Sequence, residues 1–205
     1  MTSSTTLNYN GNFDKHNIRA LVGYEIEDRS LLLTVASAKS YSTDKLPELA
    51  NGQPYNVSSS TYGSSIMSVL ANVNYDFDNK YYLSGSFRRD GSSAFSYTGN
   101  QWQNFYSVGA GWLMSEEEFM KGITWLDMLK LKGSWGTLGN QNLDKPYPAE
   151  PLLSNAYSAV FGTPSAIYPG YQLSYLPNPN LRWEKVEAWE VGAEANFFRN
   201  RLHFE

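Results

Sequence analysis

The sequence predicts an all-β fold: an antiparallel, up-and-down transmembrane β-barrel segment of about eight strands, part of a larger barrel, with long extracellular loops. Three observations predict it. Apolar and polar residues alternate with a period of two in eight separate stretches, short and long connections follow one another in turn, and aromatic residues gather at the rim where the short connections lie. Alternation marks a strand with two unlike faces. Alternation of turn length marks a barrel with tight turns on one side of a membrane and long loops on the other.

The elements follow in chain order. An opening strand sets Leu7, Tyr9 and Phe13 against Asn8, Asn10 and Asn12. Ile18, Ala20, Val22, Tyr24 and Ile26 oppose Arg19, Gly23 and Glu25, with Leu21 out of pattern. Val69, Ala71, Val73, Tyr75 and Phe77 oppose Asn72, Asn74 and Asp76, with Leu70 out of pattern. Tyr81, Leu83, Gly85 and Phe87 face away from Ser84, Ser86 and Arg88. Tyr106, Val108, Ala110, Trp112 and Met114 face away from Ser107, Gly109 and Gly111. Leu129, Leu131, Gly133 and Trp135 oppose Lys130, Lys132 and Ser134. Trp189, Val191, Ala193, Ala195 and Phe197 oppose Glu190, Gly192, Glu194 and Asn196. A last strand begins at Leu202 and Phe204. No charge falls on the apolar faces, while the opposite faces carry Asn, Ser, Gly, Lys, Glu and Arg. An apolar exterior around a polar interior is what a lipid-facing barrel needs. A half-buried sheet of a soluble protein alternates in the same way, so alternation by itself leaves both readings open.

The connections weigh for the barrel. Residues 14–17, 78–80 and 199–200 are short. Residues 28–65, 90–104 and 138–187 are long, with a compact piece at 115–127. Irregular stretches above about 15 residues are uncommon in compact domains. In lipid an open edge has no hydrogen-bonding partner, so the strands must close on neighbours. Phe13, Tyr75, Phe77, Tyr81, Trp112, Phe197, Phe198 and Phe204 fall at the short-turn rim, where an interfacial girdle belongs.

Composition narrows the class. Charged residues make up 18% and aromatic residues 15% of the 205 positions, which argues against disorder. The absence of cysteine excludes a disulfide scaffold and thiolate metal sites. A net charge of −4 argues against a nucleic-acid binder. No apolar run approaches the roughly 20 residues of a membrane-spanning helix, and Met1–Thr6 has no basic and apolar leader pattern. The expectation is therefore a piece of a barrel, beginning and ending inside it.

Several stretches resemble the SusC/RagA family of TonB-dependent outer-membrane receptors. The strongest runs from Tyr81 to Asn142. It includes Tyr82-Leu83-Ser84-Gly85-Ser86-Phe87-Arg88-Arg89-Asp90-Gly91-Ser92-Ser93, then Phe105-Tyr106-Ser107-Val108-Gly109-Ala110-Gly111-Trp112. Ser115-Glu116-Glu117-Glu118-Phe119-Met120, Leu129-Lys130-Leu131-Lys132-Gly133-Ser134-Trp135-Gly136 and Gly139-Asn140-Gln141 follow. Asn178-Pro179-Asn180-Leu181-Arg182-Trp183-Glu184-Lys185 and Trp189–Leu202 are also similar, and Lys45-Leu46-Pro47-Glu48-Leu49 more weakly. The resemblance implies that residues 1–205 are one partial barrel domain of a 22-stranded receptor, without its plug or signal peptide. It implies a Gram-negative, Bacteroidetes-like outer membrane and import of glycan fragments or peptides. It also implies a SusD-like surface lipoprotein as partner, and the TonB complex acting through a plug absent from this chain.

Candidate functional residues fall into two sets. Arg19, Glu25, Arg88, Lys130, Lys132, Glu190 and Glu194 sit at polar positions of the strands and are expected to face the lumen, where they would line a path or pair across the wall. Tyr55, Tyr62, Trp102, Tyr147, Tyr157, Tyr168, Tyr171 and Trp183 lie in or beside the long connections. Such amphipathic rings suit sugar stacking and protein interfaces, or packing of the loop on itself. Ser115-Glu116-Glu117-Glu118 reads as a capping box, with Gly122 at the end of a short helix over residues 116–121. Asp90-Gly91-Ser92-Ser93 and Gly139–Asn142 read as loop-starting turns.

Enzyme signals are thin. His16 and His203 are the two histidines, with no metal-ligand spacing. Ser42-Thr43-Asp44-Lys45 lacks the companion motifs of serine hydrolases with that pattern. No nucleophile elbow or phosphate loop occurs. The chain is read as non-enzymatic and without a cofactor. The alternative is a soluble all-β glycan-binding or adhesin module, whose alternating faces would form the core of a sandwich.

Overall fold

The computed structural model describes residues 1–143 and 147–205, with backbone alone for 155–157. The strands are β1 (Thr2–Phe13), β2 (His16–Lys39), β3 (Gln53–Phe77), β4 (Tyr81–Ser92), β5 (Trp102–Leu113), β6 (Leu126–Asn140), β7 (Leu153–Phe161), β8 (Ala166–Leu173), β9 (Glu184–Phe197) and β10 (Leu202–Phe204). Eight of them form one antiparallel sheet in the order β1-β2-β3-β4-β5-β6-β9-β10, and β7 and β8 pair as a separate hairpin. Apart from that hairpin, each strand lies beside its neighbour in sequence, the up-and-down order expected of a barrel wall.

Register brings the expected apolar faces onto one side. Leu7 lies opposite Val22, Val22 opposite Ala71, Ala71 opposite Phe87 and Phe87 opposite Tyr106. Further along, Val108 meets Trp135, Trp135 meets Trp189, and Ala195 meets Phe204. Side chains alternate with period two, so a slip of one residue at any junction would turn a whole strand over. The apolar side is open along its length; Val73 is 46% exposed and Val191 78%. A sandwich core would have buried these residues.

The short connections are tight turns. Asp14, Asp78 and Asn79 adopt left-handed backbone conformations, which short polar side chains tolerate well. Lys15 reaches the Asp78 carboxylate at 3.0 Å and ties two neighbouring turns together. Beside them the aromatic residues form a belt. Phe77 stacks near Tyr81 at 6.3 Å between centroids, Tyr81 near Trp112 at 6.4 Å, and Trp125 on Phe197 at 5.7 Å.

Three sequence expectations need correction. Residues 28–65 are not one long irregular loop. β2 and β3 stay paired up to Lys39 and Gln53, with one irregularity at Ser37/Ala38, so the hairpin rises well past the apolar band. Leu31–Val35 and Val57–Tyr62 are rich in β-forming residue types, and continued pairing satisfies the backbone of both arms. The 138–187 stretch likewise contains the β7–β8 hairpin. The expected helix at 116–121 is absent. A 3-10 turn spans Met114–Glu116, Ser115 Oγ is buried without a hydrogen-bond partner among the described residues, and Gly122 does not adopt a positive φ. The capping box fails because Glu117 is drawn towards Tyr81 and Trp112, which holds the segment in successive i→i−3 turns.

A small core closes the long-loop end of the sheet. Phe95, on the 3-10 turn Ser93–Thr98, is fully buried and packs with Ala94, Phe105 and Trp183, flanked by Leu143 and Leu181.

Candidate functional site: the polar wall and the loop cluster

The face opposite the apolar side is polar and concave. One register row crosses six strands: Arg19, Asn74, Ser84, Gly109, Ser134 and Glu190. It has a base at one end, an acid at the other and small residues between. Together with Asp76, Tyr82, Lys130 and Lys132 these residues line a trough of about 350 Å³. Gly109 keeps its floor low, because a Cβ there would stand 2.6 Å from Ser84 Oγ. The trough widens towards the loops into a second hollow of about 890 Å³, lined by Glu27, Arg29, Arg88, Asp90, Thr137 and Trp183 among others.

All seven polar-strand candidates project from this face, and the structure separates their surroundings. Arg88 is held by three partners. Its Nε donates to Asp90 at 2.7 and 2.9 Å, one Nη donates to Ser68 Oγ at 2.9 Å, and Glu25 lies 3.8 Å away. Lys132 donates to Glu194 at 2.7 Å and to Glu205 at 2.6 Å. Lys130 lies over the Tyr82 ring, 5.0 Å from its centroid. Arg19 and Glu190 both line the trough. The wall thus presents a lattice of charges of both signs, mostly paired, which argues against selection of one ion.

The aromatic candidates do not form a single platform. Tyr147 tethers the long loop: its hydroxyl donates to Gly63 O at 2.6 Å and lies 3.1 Å from Ser93 Oγ, while Tyr175 donates to the Tyr147 carbonyl at 2.9 Å. Tyr62 lines a hollow of about 560 Å³ with Arg29, Leu31 and Asn140. Tyr55 stands far up the β2–β3 hairpin beneath Lys39. Tyr168 and Tyr171 are exposed on β8, with Tyr168 against Phe161. The Tyr157 side chain lies outside the described residues. Trp183 follows the packing alternative, and Trp102 sits elsewhere than expected. Trp183 is only 8% exposed, packs against Phe95 and Phe105, and donates its indole N–H to Gln101 O at 2.9 Å, so it offers no free stacking face. Trp102 is the first residue of β5 and projects from the apolar side in register with Gly91, not into the loop cluster.

The whole sequence, residues 1–205, matches the family described as TonB dependent receptor-like, beta-barrel. The chain belongs to this receptor family. It is 34% identical over 196 residues to TonB-dependent receptor P26 of Formosa agariphila, covering 94% of this chain and 19% of that protein. It is 34% identical over 142 residues to TonB-dependent receptor SusC of Bacteroides thetaiotaomicron, covering 68% of this chain and 14% of that protein. Among solved structures, the RagAB peptide transporter superposes with a TM-score of 0.80 at 29% identity, covering 98% of this chain and 22% of that one. The chain therefore spans about a fifth of the length of P26 and of the RagAB chain.

At the short-turn rim a single carboxylate holds two of the belt aromatics. Glu117 accepts from the Tyr81 hydroxyl at 2.6 Å and from Trp112 Nε1 at 3.2 Å, with Lys80 at 3.7 Å. The Tyr81 hydrogen bond, then that of Trp112 and the nearby Lys80 charge, hold its carboxyl below the usual carboxylate range. The sequence places Glu117 in the first turn of a short helix, because no local pattern reveals a bond made 36 residues away. Phe95 was also missed, since the periodicity of strands says nothing about a turn residue.

Proposed function

We propose that this chain is a stretch of the wall of a TonB-dependent outer-membrane importer, non-enzymatic, that admits glycan fragments or peptides. One observation carries the reading. Eight strands in up-and-down order present a continuous uncovered apolar face on one side and a charged, hydrogen-bonding trough on the other. A bilayer is the medium that stabilises such a face. The soluble alternative would require a second layer over Val22, Val73 and Val191. The related RagAB structure is that of a peptide transporter, and the SusC relative is a TonB-dependent receptor.

The partner in this reading is a SusD-like surface lipoprotein. The β7–β8 hairpin supports it: Ile167, Tyr171 and Leu173 lie on one face and Phe161 and Tyr168 on the other, all exposed. A lone two-stranded hairpin is marginal in water and gains most from a covering surface. Energy coupling through TonB belongs to the whole receptor. The test is genetic and biochemical. A deletion of the full gene should abolish growth on the glycan or peptide mixture that the parent strain uses, and tagged full-length receptor should bring down an encoded lipoprotein. Removing residues 153–173 should release that lipoprotein while the barrel stays in the membrane fraction. Recovery of the full-length protein in the aqueous fraction without detergent would refute the proposal.

A further inference from the structure

We propose that Arg89 and Trp102 form a site on the outside of the barrel for the phosphate of a membrane lipid in the leaflet next to the long loops. The inference rests on the membrane reading above and goes beyond it. Arg89 lies on the apolar side, in register with Val69 on β3 and Asn104 on β5. One row nearer the short turns stand Phe87 and Tyr106; one row further up stand Gly91 and Trp102.

Height places the guanidinium at an interface. Eight residues separate Tyr81, in the aromatic belt, from Arg89 on β4. That is about 27 Å along a strand and roughly 20 Å of height at a tilt of about 40°. The apolar band of such barrels is about 25 Å tall, so Arg89 stands just inside its upper edge, from which a long side chain reaches the headgroups.

The surroundings are those of a cation awaiting an anion. The guanidinium carbon lies 5.2 Å from the Trp102 ring centroid. Among the described residues no carboxylate comes within 4.0 Å of Arg89, whereas its neighbour Arg88, on the other face, is paired with Asp90 and Glu25. Asp28, the acid on the same side two strands away, is engaged by the Ser65 hydroxyl. Lys185, a second cation on this side, is paired with Glu187 at 3.2 Å. Behind the indole lies an apolar groove of about 290 Å³ lined by Ile26, Met67, Gly91 and Trp102. Gly91 makes room for the ring, because a Cβ there would stand 2.7 Å from it. A guanidinium lying over an indole can turn its N–H fork outward for bidentate phosphate binding, and the groove accepts the first methylenes of a chain.

The test uses the full-length receptor in phosphatidylcholine discs that contain a minor fraction of phosphatidic acid. Native mass spectrometry counts the phosphatidic acid retained after release from the disc. The wild type should retain it in preference to diacylglycerol, and inorganic phosphate should not displace it. Arg89→Gln should lower retention about fivefold. Arg89→Lys, which keeps the charge and the fold, should lie between. Equal retention by wild type and Arg89→Gln, or by wild type and Arg89→Lys if the former does not fold, would overturn the site. Displacement by inorganic phosphate would do the same, since it would mark a small-anion site. A failure of the membrane reading itself would appear earlier, as a receptor that does not enter discs.

Discussion

Replacing Val73 with arginine asks the bilayer directly whether it touches this face. Val73 stands four residues above Phe77 on β3. That is about 14 Å along the strand and about 10 Å of height at the usual tilt, near the middle of an apolar band about 25 Å tall. Its cross-strand neighbours are Ala20 and Gly85, so neither a carboxylate nor a long side chain is at hand to shelter the new charge. Arginine at the midplane of a barrel costs about 2–4 kcal/mol. At about 1.36 kcal/mol per tenfold, the folding equilibrium should fall roughly 30- to 900-fold. The control is Ser134→Arg on the opposite face, where the register partner is Glu190; its expected cost is under about 1 kcal/mol. The assay is urea titration of the full-length receptor folding into vesicles, read by heat-modifiable migration. Equal costs for the two variants, or a larger cost for Ser134→Arg, would refute the assignment of faces.

Three further outcomes are expected. Phe95→Ala should cost about 3–5 kcal/mol locally, seen as faster amide exchange over residues 93–105 and 181–183 with the strands near the short turns unchanged. Tyr147→Phe removes the donor to Gly63 O; a loss of about 0.5–1.5 kcal/mol should appear as faster proteolysis within residues 148–180. For Glu117 the sign is set by a depressed carboxyl pKa in the folded state. The stabilisation it provides is complete above the ordinary carboxylate value of about 4.3 and is lost as pH falls through the lower folded value. Trp112 fluorescence should therefore change on acidification below about pH 4, and Glu117→Gln should remove that transition.

Much of the wall was legible in the residues because lipid and water impose a two-residue period on every strand. Ile18 to Ile26 and Val69 to Phe77 declare their outer faces without any knowledge of neighbours. The tight turns at Asp14 and at Asp78-Asn79 were legible for the same local reason, as was the aromatic belt at their rim. The long connections were not. Leu31–Val35 and Ser58–Tyr62 have the chemistry of strands, but only pairing between segments decides whether they extend a hairpin or form a loop. Ser115–Glu118 satisfied a local helix rule and lost to bonds from Tyr81 and Trp112, residues that approach only once β4 and β5 are side by side.

By itself, then, the sequence determined which side of each ribbon is greasy, where the chain turns and which family it resembles, since these follow from neighbours a few residues apart. Tertiary structure alone decided the partners across strands: Arg88 with Glu25 and Ser68; Lys132 with Glu194; Trp183 inside the loop core; Trp102 on the outer side beneath Arg89. Those contacts depend on register, and register is a property of the assembled sheet, fixed by all its strands together.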